Sequence, residues 1–289
     1  MTTLAVDIGG TKIAAAIWHG SLGVPVQAPT GDPWATLVEL LDPLAAQGIS
    51  GIGVGCGGPM EWPSGVVSPL NMPWRSFPLR QRLTERYAVP VRIHNDAVCL
   101  TIAEHWQGGW GVEDLLGMVV STGVGGGVIS GGRLLDGASG NFGHIGHIVV
   151  EPGGPSCQCG GQGCLEAVAR GAALVAWAQT KGSRATSGRE LAALALQGDA
   201  VALQTFARAG RAVGLAIASA VAVLDVRVVT VGGGLAQAPS LWPTLRRTVR
   251  AQARLGFLKD LRVEPAALGA SAGLVGAAGL FEDRYWHGD

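Results

Sequence analysis

Residues 3–18 read TLAVDIGGTKIAAAIW. TLAVDI predicts a strand, Gly9 and Gly10 a tight turn, and KIAAAIW the returning strand. The same theme returns about 115 residues later, where residues 114–135 read DLLGMVVSTGVGGGVISGGRLL. Strand–glycine turn–strand occurring twice predicts a duplicated α/β architecture, with one phosphate-contacting hairpin per lobe.

Outward from these hairpins, helix and strand alternate, which is the α/β pattern. Helical spacing falls at 34–47 and 79–87, and a buried strand at SGIGVGC. VPVRIHND predicts a strand ending at Asp96, and AVCLTIAEHWQ a helix after it. A long apolar helix is predicted over about 200–224. It leads into the strand VRVVTV, a helix near 240–254, the strand LRVEP and a last helix near 271–282. A lobe boundary is placed at QGGWG, 107–111.

The chain has 289 residues, 48% of them hydrophobic and 15% charged, with a formal net charge of zero. That length suits two compact lobes, and no basic stripe supports nucleic-acid binding. The most apolar run, 214–226, meets Asp225 after about eleven residues, whereas a bilayer span needs ~20. No membrane partner is expected, the N-terminus does not read as a signal peptide, and the expected location is cytoplasmic. The 46 glycines cluster at the ends of β-like runs, where they let backbone approach a ligand.

In DIGGTK, the turn Gly9-Gly10-Thr11-Lys12 can hold a phosphate through its amides, and Asp7 can meet the accompanying Mg²⁺ through water. An ordinary hairpin turn is the competing reading. In STGVGGG, hydroxyls at Ser121 and Thr122 accompany the amides of Gly123, Gly125, Gly126 and Gly127. At HND, Asn95 and Asp96 end a strand, the edge at which open α/β sheets bind ligands. Asp96 there is either a proton acceptor or the N-cap of the next helix. Gly53, Gly55 and Gly58 satisfy G-x-G-x-x-G, but Pro59 and Pro63 follow, so no helix N-terminus is expected to receive a pyrophosphate. GASAG, 269–273, matches a nucleophile elbow around Ser271, yet the only later histidine is His287, in a tail expected to be mobile.

His147, Cys157, Cys159 and Cys164 have the spacing H-x9-C-x-C-x4-C. Three thiolates and one imidazole form a closed tetrahedral set suited to structural zinc, with no open position for hydrolytic chemistry. Three buried cysteines are the bland alternative. The intervening Gly, Pro, Ser and Gln cannot build a core element, so the loop needs a staple. Cys56 and Cys99 read as small core residues.

Together, DIGGTK, HNDA, STGVGGG, GHIGH, CQCGGQGCLE and VGGG resemble, in order and spacing, the ROK family (repressors, open reading frames and sugar kinases). The resemblance covers essentially the whole chain. It implies the duplicated actin/hexokinase-like (ribonuclease H-like) two-lobe fold with a structural zinc loop, and sugar and ATP in the cleft between lobes. The lobes would be 1–108, joined by the last helix 271–289, and 109–270. The two glycine turns would be ATP-phosphate loops and Gly232, Gly233 and Gly234 the adenosine loop. Asp96 would be the base for the sugar 6-hydroxyl. Asn95, His147 and Glu166 would be sugar ligands, with Gly58 and Asn71 lining the pocket. Zn²⁺ would be structural, Mg²⁺ would accompany ATP, and a homodimer is implied.

Most sugar kinases of the family carry Glu where this chain has His144. A neutral imidazole accepts through one nitrogen only, so a changed acceptor suggests a changed sugar. GHIGH, MTTLAVDIGGTK and STGVGGGVISG resemble the bacterial N-acetylmannosamine kinases more than the glucokinases. The implied acceptor is therefore an N-acetylhexosamine, with a hexose such as glucose as the alternative. The family's repressors carry a helix-turn-helix extension before the first phosphate strand; here that strand begins at residue 3.

Overall fold

A computed structural model describes residues 1–70 and 72–288. Asn71, expected to line the sugar pocket, lies outside the described residues. In chain order the elements begin with β1 (Thr3–Ile8), β2 (Lys12–Trp18), β3 (Val26–Pro29), α1 (Pro33–Ala45) and β4 (Gly51–Cys56). Three two-residue strands follow, β5 (Met60–Glu61), β6 (Val66–Val67) and β7 (Phe77–Pro78), then α2 (Leu79–Tyr87), β8 (Val91–Asn95) and α3 (Asp96–Gln107). The second hairpin is β9 (Leu115–Val120) and β10 (Val124–Ser130), followed by β11 (Arg133–Leu134). Next come α4 (Leu165–Ala169), α5 (Gly171–Thr180), α6 (Gly188–Leu196) and α7 (Ala200–Leu224). The chain continues through β12 (Val228–Gly232), α8 (Trp242–Gln252), β13 (Arg262–Pro265) and α9 (Ala272–Gly279).

The two main sheets have matching orders, β3-β2-β1-β4-β8 and β11-β10-β9-β12-β13. Each starts as an antiparallel hairpin and continues as parallel strands; β1 pairs with β4 and β4 with β8, as β9 pairs with β12 and β12 with β13. This matching topology is the duplication expected from the two glycine hairpins. Parallel strands covered on both faces read as continuous apolar runs. Leu4, Val6, Ile52, Val54 and Ile93 accordingly form a fully buried core, at roughly 1.5–3 kcal/mol of transfer free energy for each large side chain.

By contacts the chain separates into two compact units. One is Met1–Glu113 with Gly127–Gly143 and Ala267–Asp289; the other is Asp114–Gly126 with His144–Ala266. In the first, α3 and α9 pack closely because glycine removes the side chain between them. A methyl group at Gly276 would collide with the Cys99 carbonyl, and one at Gly53 of β4 with that of Ala277. Gly53 of GIGVGCGG and Gly276 of α9 thus serve close packing. The next element after β4 is the strand β5 and not a helix, so the G-x-G-x-x-G match is not a dinucleotide fingerprint. Cys56 and Cys99 are buried in this unit, as read. Glu104, also fully buried, accepts from the Ala267 and Leu268 amides, each at 2.9 Å, and from Trp110 Nε1 at 2.9 Å.

In the second unit α7 is long and apolar enough to cross a membrane by length and composition, but just over half of its most apolar stretch is buried inside the protein. Asp199 caps its first turn by accepting from Ala202 N at 2.8 Å, and Asp225 ends it in the left-handed conformation. Three helices between 165 and 196 and the small β5–β7 sheet were not anticipated. Two-residue strands carry no periodicity, and the Ala-rich α5 shows little contrast between its faces.

Candidate active site

In the first unit, β1 delivers Asp7 to the edge of a closed turn. Gly9 N donates to Lys12 O at 3.0 Å, and Thr30 Oγ1 to Gly9 O at 2.7 Å, bracing the turn from outside. The first turn of α9 abuts the Asp7 carboxylate: a methyl group on Gly273 would sit 2.6 Å from Oδ2. Burial, then the nearby charge of Asp96, push the Asp7 carboxyl up to about 6, against the pull of Lys12.

The β8–α3 corner carries the second acid. Asn95, not Asp96, is the N-cap of α3: its Oδ1 accepts from Ala97 N at 2.9 Å. Asp96 occupies the first helical turn, with Oδ1 also accepting from Ala97 N at 2.8 Å. Asp96 is exposed at the surface although much protein surrounds it. Burial raises its proton affinity more than the Ala97 amide lowers it. Gly58 stands against Asn95, where a methyl group would lie 3.3 Å from Nδ2. The structure thus brings together Asp7, Gly58, Asn95 and Asp96.

In the second unit the turn between β9 and β10 is Ser121–Gly123, closed by Ser121 N donating to Gly123 O at 2.9 Å. Gly171 N donates to Ser121 O at 2.9 Å, and Leu235 N to Val120 O at 3.1 Å. Gly233 has φ +93°, and a methyl group there would sit 2.5 Å from the Val120 carbonyl oxygen. Only glycine meets both conditions. Beside these segments lies a cavity of about 750 Å³, lined in part by Thr122, Gln179, Ser187, Arg189 and Gly234. It falls within the size range of small-molecule and cofactor sites.

Gly125, Gly126 and Gly127 were expected in the turn. They lie instead in β10. A methyl group at Gly127 would meet Thr101 Oγ1 at 2.8 Å and Val98 Cα at 3.1 Å, so helix packing accounts for that glycine. Gly232 ends β12.

The 144–166 segment of the second unit gathers the remaining residues. A 3₁₀ turn, Ile145–His147, sets His144 and His147 three apart on one side. Their rings lie 6.0 Å apart at 21°. Burial and then His147 hold the His144 imidazole below its usual range, which favours the neutral form. Gly146 packs on the Val124 carbonyl with no room for a side chain.

The ligand atoms of His147, Cys157, Cys159 and Cys164 lie within 4.8 Å of one another. His147 Nδ1 to Cys157 Sγ and Cys159 Sγ to Cys164 Sγ are each 3.7 Å. A tetrahedron with ~2.3 Å zinc–sulfur bonds has edges of about 3.8 Å, so the donor set fits that ion. Loop amides complete the frame: Val150 N and Glu151 N both donate to Gly163 O, at 2.9 and 3.1 Å. Glu151 also pairs bidentately with Arg208 of α7 at 3.0 and 2.6 Å. Two residues past Cys164, in the first turn of α4, Glu166 Oε2 accepts from Val124 N at 3.0 Å. The cysteine loop is thereby tied to the β9–β10 hairpin.

The residues 171–196 that line the cavity escaped the sequence reading. A signal was present in S-x-x-E at 187–190: Ser187 Oγ accepts from Glu190 N at 3.2 Å, and Glu190 Oε2 from the Thr186 amide at 2.6 Å. His287 is not in a free tail, for its Nδ1 lies 2.7 Å from Asp136 Oδ2. Ser271 lies in a 3₁₀ turn entering α9, which fits the helix-packing reading.

Two braced glycine turns, an acid pair and a Cys₃His loop define a class. A model of the ROK family matches residues 3–284, and the chain belongs to that family. Among individual relatives, the N-acetylmannosamine kinase of Shigella boydii serotype 18 is 38% identical, over 96% of this chain and 97% of that protein. Of solved structures, the ROK hexokinase from Thermus thermophilus has a TM-score of 0.85 and 40% identity, covering 96% of this chain and 97% of that one. A ROK family glucokinase from Streptomyces griseus, solved with glucose and AMPPNP, has a TM-score of 0.83 and 31% identity, covering 97% and 99%.

Proposed function

We propose that this protein transfers the γ-phosphoryl group of ATP to the 6-hydroxyl of N-acetylmannosamine. The observation that carries the reading is Asp96. It stands at the accessible end of β8 with a proton affinity raised by burial, beside Asn95 and Gly58. As general base Asp96 takes the hydroxyl proton as the oxygen attacks phosphorus. Asn95, His147 and Glu166 bind sugar hydroxyls. The turns at Gly9–Lys12 and Ser121–Gly123 hold phosphates through the amides not used to close them, and the cavity of the second unit, with Gly234 in its wall, takes the adenosine. Magnesium bound with ATP would supply charge neutralisation at the phosphates, and Asp7 is the residue that would hold it through water. Catalysis of this kind rests mainly on positioning.

His147, Cys157, Cys159 and Cys164 hold zinc in a structural role, which keeps His147 and Glu166 in place for the sugar. His144, neutral and stacked on His147, replaces a carboxylate acceptor and favours an N-acetylated sugar. The 38% identical N-acetylmannosamine kinase supports that choice. The second reading is a hexokinase acting on glucose, favoured by the 40% identical Thermus thermophilus hexokinase.

A coupled ADP-release assay comparing kcat/KM for N-acetylmannosamine, glucose, mannose and N-acetylglucosamine decides between them. A preference for N-acetylmannosamine is expected. A preference for glucose keeps the kinase and reduces His144 to a tolerated substitution. No turnover with any of the four overturns the sugar-kinase reading.

A further inference from the structure

His94 immediately precedes the two residues assigned to the acceptor sugar, and its imidazole is buried, 1% exposed. Its Nδ1 accepts from the Asn95 backbone N–H at 2.8 Å. That leaves Nε2 to carry the proton, and Nε2 lies 3.1 Å from Asp136 Oδ1. The other carboxylate oxygen of Asp136 lies 2.7 Å from His287 Nδ1. Asp136 thus accepts one N–H from each imidazole. Burial alone would raise its carboxyl, but the hydrogen bonds from His94 and His287 hold it below the usual carboxylate range.

The segment that brings His287 to this point is firmly seated. Tyr285 is fully buried and its hydroxyl lies 2.6 Å from Nδ1 of His105, on α3. The Arg80 and Arg92 guanidinium groups lie 5.7 and 5.6 Å from the centre of the Trp286 ring. The Trp62 indole meets the same ring edge-on at 5.8 Å and lies 6.2 Å from the His94 ring.

We infer that His287, Asp136 and His94 form a positioning relay, in which the 283–288 segment fixes the Asn95 peptide and hence the angle at which Asp96 meets the acceptor hydroxyl. The inference rests on the assignment of Asp96 as base. The relay touches no reacting atom; it acts through one amide. Fixing the Asn95 N–H sets the plane of the 94–95 peptide, and both substrate-facing side chains hang from that corner. Misplacement of a catalytic group by about 1 Å is enough to cost 10²-fold in rate. A purely structural latch would contribute to thermal stability and leave the rate per folded molecule alone.

The test uses the full chain and four variants, His287→Ala, His287→Gln, Asp136→Ala and Asp96→Asn. For each, kcat, KM for sugar, KM for MgATP and Tm are measured. His287→Ala should lower kcat about ten-fold with KM for MgATP unchanged. Glutamine carries an N–H able to reach Asp136, so His287→Gln should recover most of that loss. Asp136→Ala should lower kcat at least as far as His287→Ala; if it does not fold, the His287 pair decides. A wild-type kcat in His287→Ala, whatever its Tm, overturns the relay, as does equal impairment in the alanine and glutamine variants. Asp96→Asn separates the two claims. If it keeps turnover, the base assignment fails; if it is inactive while His287→Ala is normal, the relay alone fails.

Discussion

The two glycine hairpins carry one sequence theme and are supported in different ways. The first has its acid on the strand itself, Asp7, and its turn is closed by Lys12 O and braced by Thr30. In the second hairpin Val119 stands where Asp7 stands in the first, by the matching strand positions. Its carboxylate arrives from α4, 42 residues away, as Glu166 accepting the Val124 amide. Duplication thus preserved the backbone path and let the source of negative charge diverge. One hairpin became an acid-bearing turn, and the other a turn anchored to a cysteine loop.

That contrast can be broken at several points. The largest effect is expected at Asp96, on the side of the acid-bearing hairpin. Asp96→Asn should lower kcat by about 10³-fold, within the range for a general base, while isothermal titration still shows sugar binding. Substantial residual kcat would remove Asp96 as the base.

Asp7→Asn should cost about 100-fold in kcat and raise Tm above that of the wild type at pH 7.5. The sign follows from linkage. The folded-state affinity of Asp7 for its proton is raised, to about 6 from 3.8, so the stability it contributes is present at low pH. That contribution is lost as pH rises through about 6. Removing the charge at pH 7.5 therefore stabilises, by roughly 2–4 °C if the gain is near 1 kcal/mol. A lower Tm in the variant would show that the carboxylate is stabilised in place. The raised Asp7 carboxyl predicts that kcat falls on acidification below about 6, and the raised proton affinity of Asp96 acts in the same direction; a flat profile down to pH 5 would contradict the raised Asp7.

Glu166→Gln sharpens the second hairpin. Glutamine keeps an oxygen for the Val124 amide and loses the charge. A loss of about ten-fold in kcat/KM that is equal in Glu166→Gln and Glu166→Ala assigns the effect to charge. A larger loss in alanine assigns it to the hydrogen bond. Smallest is His144→Glu, which should shift the preference between N-acetylmannosamine and glucose several-fold toward glucose. An unchanged ratio of kcat/KM values would make His144 irrelevant to selectivity.

Most strands and the site motifs were legible in the sequence because their signals are local. Apolar runs bounded by glycine marked β1, β4, β9 and β12, and the spacing of His147, Cys157, Cys159 and Cys164 marked one cluster. The reading failed where a residue's reason lies far away in the chain. Gly127 looked like part of a phosphate turn because its neighbour in space, Thr101, is 26 positions upstream. His287 looked mobile because its partner, Asp136, is 151 residues away. Asn95 and Asp96 are both good caps, and only the geometry at Ala97 shows which one fills the role. The strands β5–β7 are too short to carry a period at all.

One consequence of the Glu166–Val124 bond reaches beyond either hairpin. The last cysteine of the cluster, Cys164, and the carboxylate that holds the β9–β10 turn, Glu166, are two residues apart in the chain. If zinc fills the Cys₃His cluster and the nucleotide binds at that turn as proposed, any coupling between their affinities is thermodynamically reciprocal. Whatever factor ATP gains from a metallated loop, the metal gains from bound ATP. The zinc affinity measured at equilibrium with and without ATP would then read that coupling directly.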